Sequence, residues 1–167
     1  GALRQVDEAL AEVRAAMAGA LDVATWGSLN RFGMYSPGII DVPQCDLSCM
    51  ISPEMFNRFE VPSLTKEIAG IDASVYHLDG PDALQHVESL CGIGKLDMIQ
   101  WMPGEGHYDK DWSGLNAKID ALGKGQIFQS YYKFSAADIR RIWDSYTSRK
   151  LFFHVSAQVL EELSGNW

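Results

Sequence analysis

Hydrophobic positions along this chain fall first on a helical period and then on a repeating strand–helix alternation. Val6, Leu10, Val13, Met17 and Leu21 recur at spacings of four and three, with Asp7, Glu8, Glu12 and Arg14 between them. This predicts an amphipathic helix over 3–24, supported by its alanine content. Residues 25–43 carry Gly27, Gly33, Pro37, Gly38 and Pro43 and are expected to be irregular. Five apolar runs then predict strands at 45–50, 73–79, 96–102, 126–132 and 150–155. Helices are predicted between them. Ser52-Pro53-Glu54 opens one with a capping serine, a first-turn proline and an acid. That helix is expected to break or restart at Pro62 and to run to about Gly70. Gly80-Pro81 starts another that reaches Cys91. Trp112, Leu115, Ile119 and Leu122 mark a third, ended by Gly123 and Gly125. Ser135 and Asp138 form a capping box for a fourth, with Ile139, Ile142, Trp143 and Tyr146 as its buried stripe. Ser156 opens a last, short helix.

One helix between each pair of strands is the pattern of βα units on a parallel sheet, so the expected fold class is α/β. Residues 1–35 read as an N-terminal helical segment and 36–167 as the βα part. A doubly wound sheet and part of a (β/α)₈ barrel both fit the alternation. No Gly-x-Gly-x-x-Gly or Walker A run follows a strand, which disfavours a nucleotide-binding doubly wound sheet.

With 167 residues, 47% of them hydrophobic, the chain can build a substantial core. Its net charge of −8 disfavours nucleic acid and anionic membranes as partners. The apolar runs are too short to span a bilayer, and no signal peptide opens the chain. Cys45, Cys49 and Cys91 are too few for a disulfide framework and read as reduced, cytoplasmic thiols.

In parallel α/β folds ligands meet the C-terminal ends of the strands. The polar candidates gather at these ends: His77 and Asp79, two residues apart and so on one face; Gln100 and Trp101; Glu105 and His107 in the following loop; Gln129 and Tyr131; and His154. Each also has a structural reading. His77 and His154 could be hydrogen-bonded core histidines, Asp79 could cap the next helix, and Trp101 and Tyr131 could serve packing alone.

Ile51-Ser-Pro-Glu-Met-Phe56, Pro62, Tyr76-His-Leu-Asp-Gly-Pro81 and Asp97-Met-Ile-Gln-Trp-Met-Pro-Gly104 together resemble the uroporphyrinogen decarboxylase-like superfamily over roughly 40–160. The nearest likeness is to a bacterial branch with His-Leu-Asp-Gly-Pro and Ile-Gln-Trp-x-Pro-Gly signatures. The resemblance implies the C-terminal part of a TIM (β/α)₈ barrel of about twice this length. It implies that the open side of the barrel is covered either by the 1–35 segment or by a second copy in a homodimer. It also implies an enzyme acting on a small molecule. One activity of the superfamily is zinc-dependent methyl transfer from a corrinoid carried on a partner protein to a thiol. Here the zinc pair would be His77 and Asp79, with aspartate where that branch has cysteine. The other is cofactor-independent decarboxylation, with His77, Asp79 and His154 as catalytic candidates. Gln100, Trp101, Glu105, His107, Gln129 and Tyr131 would contact substrate in either case. An inactive barrel fragment is the third expectation.

Overall fold

The computed structural model describes residues 2–165, and the side chains from Gln5 onward. Helices α1 (Ala2–Ala20) and α2 (Val23–Trp26) lead into a two-stranded antiparallel hairpin, β1 (Ser28–Leu29) and β2 (Tyr35–Ser36). Strand β3 (Ile40–Asp41) then begins a parallel sheet. Next come α3 (Pro53–Met55) and α4 (Val61–Ala69), β4 (Ala73–Asp79), α5 (Val87–Cys91), β5 (Met98–Met102), α6 (Ser113–Ala121) and β6 (Gly125–Phe128). The chain closes with α7 (Ala136–Ser145), β7 (Leu151–Phe153) and α8 (Ala157–Ser164). The five strands lie in the order β3-β4-β5-β6-β7, every pair parallel. A strand order that follows chain order throughout contains no point of reversal, which a doubly wound sheet requires.

The two faces of the sheet do different work. Tyr76, Leu78, Ile99 and Trp101 point into the main core, where Phe56, Leu64, Ile68, Val87, Leu90 and Ile119 of the helical layer meet them. Phe153 joins Ala136, Ile139 and Leu163 beneath α7 and α8. The alternate residues Val75, Met98, Ile127 and Phe152 point the other way, and the hairpin lays Phe32 and Met34 over them. So it is the 28–36 hairpin that covers this second face. Helix α1 sits elsewhere, against α4. Its Asp7 accepts a hydrogen bond from Ser63, and its Arg14 pairs with Asp41 at 2.7 Å and Glu67 at 3.3 Å. Its apolar stripe remains in solvent, with Val6, Leu10, Val13 and Met17 between 46% and 57% exposed and Leu21, just past its end, 65% exposed. Among the described residues no helix is long and apolar enough to cross a membrane.

Several predicted boundaries move. Residues 46–50 form a 3₁₀ turn, not a strand; the first sheet strand lies earlier, inside the stretch expected to be irregular. Asp72 fixes it there: its carboxylate accepts the Ile39 N–H at 2.8 Å and its own N–H donates to the Ile39 carbonyl. The helix opened by Ser52 does not break at Pro62 but restarts there, as the second expectation had it. A π turn over Phe56–Glu60 closes its last bond from Val61 N–H to the Phe56 carbonyl. Pro62, which has no N–H to give, is carried in the next turn. The strand predicted to reach Tyr132 stops at Phe128, because 130–132 curl into a 3₁₀ turn ended by Lys133 at φ 51°. The strand predicted over 150–155 is confined to Leu151–Phe153.

The caps at Ser52, Ser135 and Ser156 all form, the second with its reciprocal Asp138 bond. At the edge strand β3, the outward amides are closed by side chains. Ser28 Oγ accepts Ile40 N–H at 2.9 Å, and Asp41 Oδ1 accepts Val42 N–H at 2.8 Å.

At the N-terminal end of the sheet, Asp97 ties three strands together. It accepts from Ser74 N–H at 3.1 Å and from Lys150 Nζ at 2.5 Å. Burial works to raise its pKa, but these donors outweigh it and hold the carboxyl below its ordinary value. A carboxyl with a depressed folded pKa contributes stability above its unfolded pKa and loses it as pH falls through the folded one. Asp97→Asn is therefore expected to cost about 1 kcal/mol at pH 7. It should also flatten the acid limb of the stability curve below pH ~4, measured by urea unfolding as a function of pH.

Candidate active site

The C-terminal ends of the parallel strands bring His77, Asp79, Gln100, Gln129 and His154 to one rim. Strand pairing places His77 beside Gln100. Because the pair stands on the face opposite the helices, the His77 ring lies under the hairpin, 6.2 Å from the Phe32 ring.

Gln100 organises the site. It is fully buried, and its Nε2 donates to the Trp101 carbonyl at 2.7 Å. That bond turns Oε1 toward His77 Nδ1, and the two make a short hydrogen bond. An amide oxygen only accepts, so His77 Nδ1 carries the proton and Nε2 carries the lone pair. His77 Nε2 faces Asp79 Oδ2 across 3.9 Å. The gap is wide for a direct hydrogen bond and suited to a bridging water or substrate group. The imidazole is largely enclosed, at 14% exposure, whereas Asp79 stands at the mouth with 58%.

The Tyr131 hydroxyl donates a short hydrogen bond to the same Trp101 carbonyl, so this carbonyl gathers Gln100 and Tyr131 at one point. Burial, before any other cause, pushes the Tyr131 phenol far above its ordinary pKa and keeps it a donor. The neighbouring Tyr132 phenol is pushed up to about 12, also by burial.

Other predicted residues take different places. His154 has both ring nitrogens occupied: Nε2 donates to the Phe32 carbonyl at 2.9 Å, and Nδ1 lies 2.8 Å from the Gln129 side-chain amide. It holds the hairpin to the sheet and has no nitrogen left for substrate in this arrangement. Gln129 is its partner. Trp101 turns its ring into the helical layer, edge-on to Trp112 at 5.0 Å, and reaches the site only through its backbone carbonyl. Glu105 is exposed in the loop after β5, and His107 is half-buried there, its carbonyl accepting from Trp112 Nε1. Neither joins the His77 group in a metal-sized cluster: among the described residues no three His, Cys, Asp or Glu side chains could share an ion. His77 and Asp79 supply two donors, where a zinc site with a bound water takes three protein ligands. The described residues therefore do not complete the zinc site that the resemblance implies.

The cysteines stand apart from this rim. Cys91 is buried beneath the helices, and burial pushes its thiol up to about 11. Burial, followed by the nearby Glu60, does the same for Cys45.

Phe32 is the site residue that the sequence does not announce. It lies in a stretch without period, and only its position between Asn30 and Gly33, a turn pair, marks it. Asn30 Oδ1 accepts the N–H groups of Phe32 and Met34 and shapes that turn.

Comparison with protein-family models, with curated proteins and with solved structures finds no match to this chain. The fold and the site geometry are what define its class: an α/β protein with a parallel sheet and a histidine–carboxylate pair at the C-terminal ends of its strands.

His154→Ala should release the hairpin rather than the sheet. The expected result is a loss of about 2 kcal/mol, from two lost hydrogen bonds and an unpartnered Phe32 carbonyl. Hydrogen exchange should accelerate at residues 28–36 and stay unchanged across β4 and β5.

Proposed function

We propose that this protein is an acid–base enzyme of the uroporphyrinogen decarboxylase-like type, on part of a (β/α)₈ barrel, acting as a cofactor-independent lyase on a small-molecule substrate. The observation that carries the reading is the fixed tautomer of His77. A base must present a lone pair toward the substrate, and Gln100 leaves that lone pair on Nε2, at the rim, facing Asp79. Proton uptake at Nε2 creates an imidazolium whose charge the Asp79 carboxylate stabilises. The reverse transfer delivers this proton to the carbanion that forms when the substrate's bond to its carboxylate carbon breaks and carbon dioxide leaves. The Tyr131 hydroxyl is held at the same Trp101 carbonyl that orients Gln100.

The strand order supports the barrel part of the reading, since consecutive parallel neighbours with all helices on one face are what a (β/α)₈ segment has. The sequence signatures support the superfamily. The metal-dependent methyl-transfer alternative, with zinc and a corrinoid partner, needs a third ligand beside His77 and Asp79, so the donor set favours the metal-free reading.

The test is carbon dioxide release from a panel of small keto acids and aromatic acids, with EDTA present throughout. Turnover is expected to fall at least about 100-fold in His77→Gln and about tenfold in Asp79→Asn, with unchanged melting temperature. Turnover that survives in His77→Gln, or that chelation abolishes and zinc restores, would overturn the proposal.

A further inference from the structure

A cavity of about 740 Å³ opens between α6 and α7 behind the loops that follow β5 and β6. That volume lies within the ~300–1,000 Å³ of small-ligand sites. Its wall is aromatic. The Tyr108 ring lies 5.3 Å from Tyr131, which stacks at 4.9 Å on Tyr132, and Trp112 and Tyr146 extend the surface. Tyr131 is the partition: its hydroxyl belongs to the rim described above, while its ring belongs to this cleft.

The polar groups at the cleft are balanced in sign. Lys110, Lys133, Asp109 and Asp111 all line it, and Arg141 is already held by Asp138 at 2.8 Å. Asp111 is partly engaged, accepting the Ser113 N–H at 2.9 Å. A ligand with a net charge would meet a like charge here as often as an opposite one. A purely apolar ligand would strip water from ammonium and carboxylate groups and return nothing. A hydroxyl avoids both costs, because it donates to a carboxylate and accepts from an ammonium at once. Sugar rings add C–H faces of slightly positive potential, which sit on the negative faces of aromatic rings.

We propose that this cleft binds a neutral oligosaccharide, one pyranose ring lying on the exposed ring of Tyr108. Asp109, Lys110 and Lys133 take the hydroxyls. The inference is independent of the chemistry at His77, since the cleft lies on the helical side of Tyr131.

Saturation-transfer NMR on the whole chain, with maltotriose, cellotriose and tri-N-acetylchitotriose at about 10 mM each, tests it. At least one trisaccharide is expected to bind and to change the tryptophan fluorescence through Trp112. Tyr108→Ala should weaken that binding about fivefold, and Asp109→Ala should weaken it comparably. Both side chains are exposed, so melting temperatures should match the wild type and separate lost binding from lost folding. His77→Gln should bind sugar normally, which distinguishes this site from the catalytic proposal. No transfer to any of the three sugars, binding indifferent to Tyr108→Ala, or preference for 4-hydroxybenzoate included as a competitor would each overturn the assignment.

Discussion

Everything in this protein follows from a sheet that can receive helices on one face only. Parallel strands taken in chain order must be joined by crossovers of one hand, and those crossovers place every connecting helix on the same side. Tyr76, Leu78, Ile99 and Trp101 become core by that rule, and the alternate residues are left needing another cover. A short hairpin provides it. Phe32 and Met34 do for Val75, Met98 and Ile127 what whole helices do on the other face. The same alternation lets the C-terminal rim be polar without disturbing the core, because His77 and Gln100 belong to the set that never meets the helical layer.

The rim draws its order from a backbone atom. The Trp101 carbonyl accepts from both the Gln100 amide and the Tyr131 hydroxyl. The amide can then orient His77 only one way. The indole of Trp101, locked edge-on against Trp112 in the core, keeps that carbonyl from moving. A buried aromatic residue and the enclosed base at the rim are thus connected through one peptide unit.

Much of this was legible in the sequence. The strand over 73–79 and the caps at Ser52, Ser135 and Ser156 are written in local residues, so period and capping rules find them. His77 and Asp79 on one face follow from the two-residue repeat alone. What local rules could not show is what depends on distant partners. Residues 40–41 become a strand because Asp72 and β4 hold them there; without those partners, Ile39-Ile40-Asp41-Val42 is only a short stretch between Gly38 and Pro43. Strand β6 ends early because of a backbone turn at Lys133, a residue type with no preference for that conformation. The structural roles of His154 and Trp101 were weighed from the sequence, but choosing between them needed Phe32 and Trp112, which lie far away in the chain or across a loop.

The closed amides of β3 have a consequence for how molecules of this protein meet one another. A bare terminal strand in a sheet is a template on which a neighbour's strand can hydrogen-bond, and stacks of such pairings lead to fibres and precipitates. Here Ser28 and Asp41 already take two of the outward N–H groups that an incoming strand would bond. Encounters on that flank fall more on the greasy stripe of α1 beside it, which has no directional bonding to propagate a regular assembly.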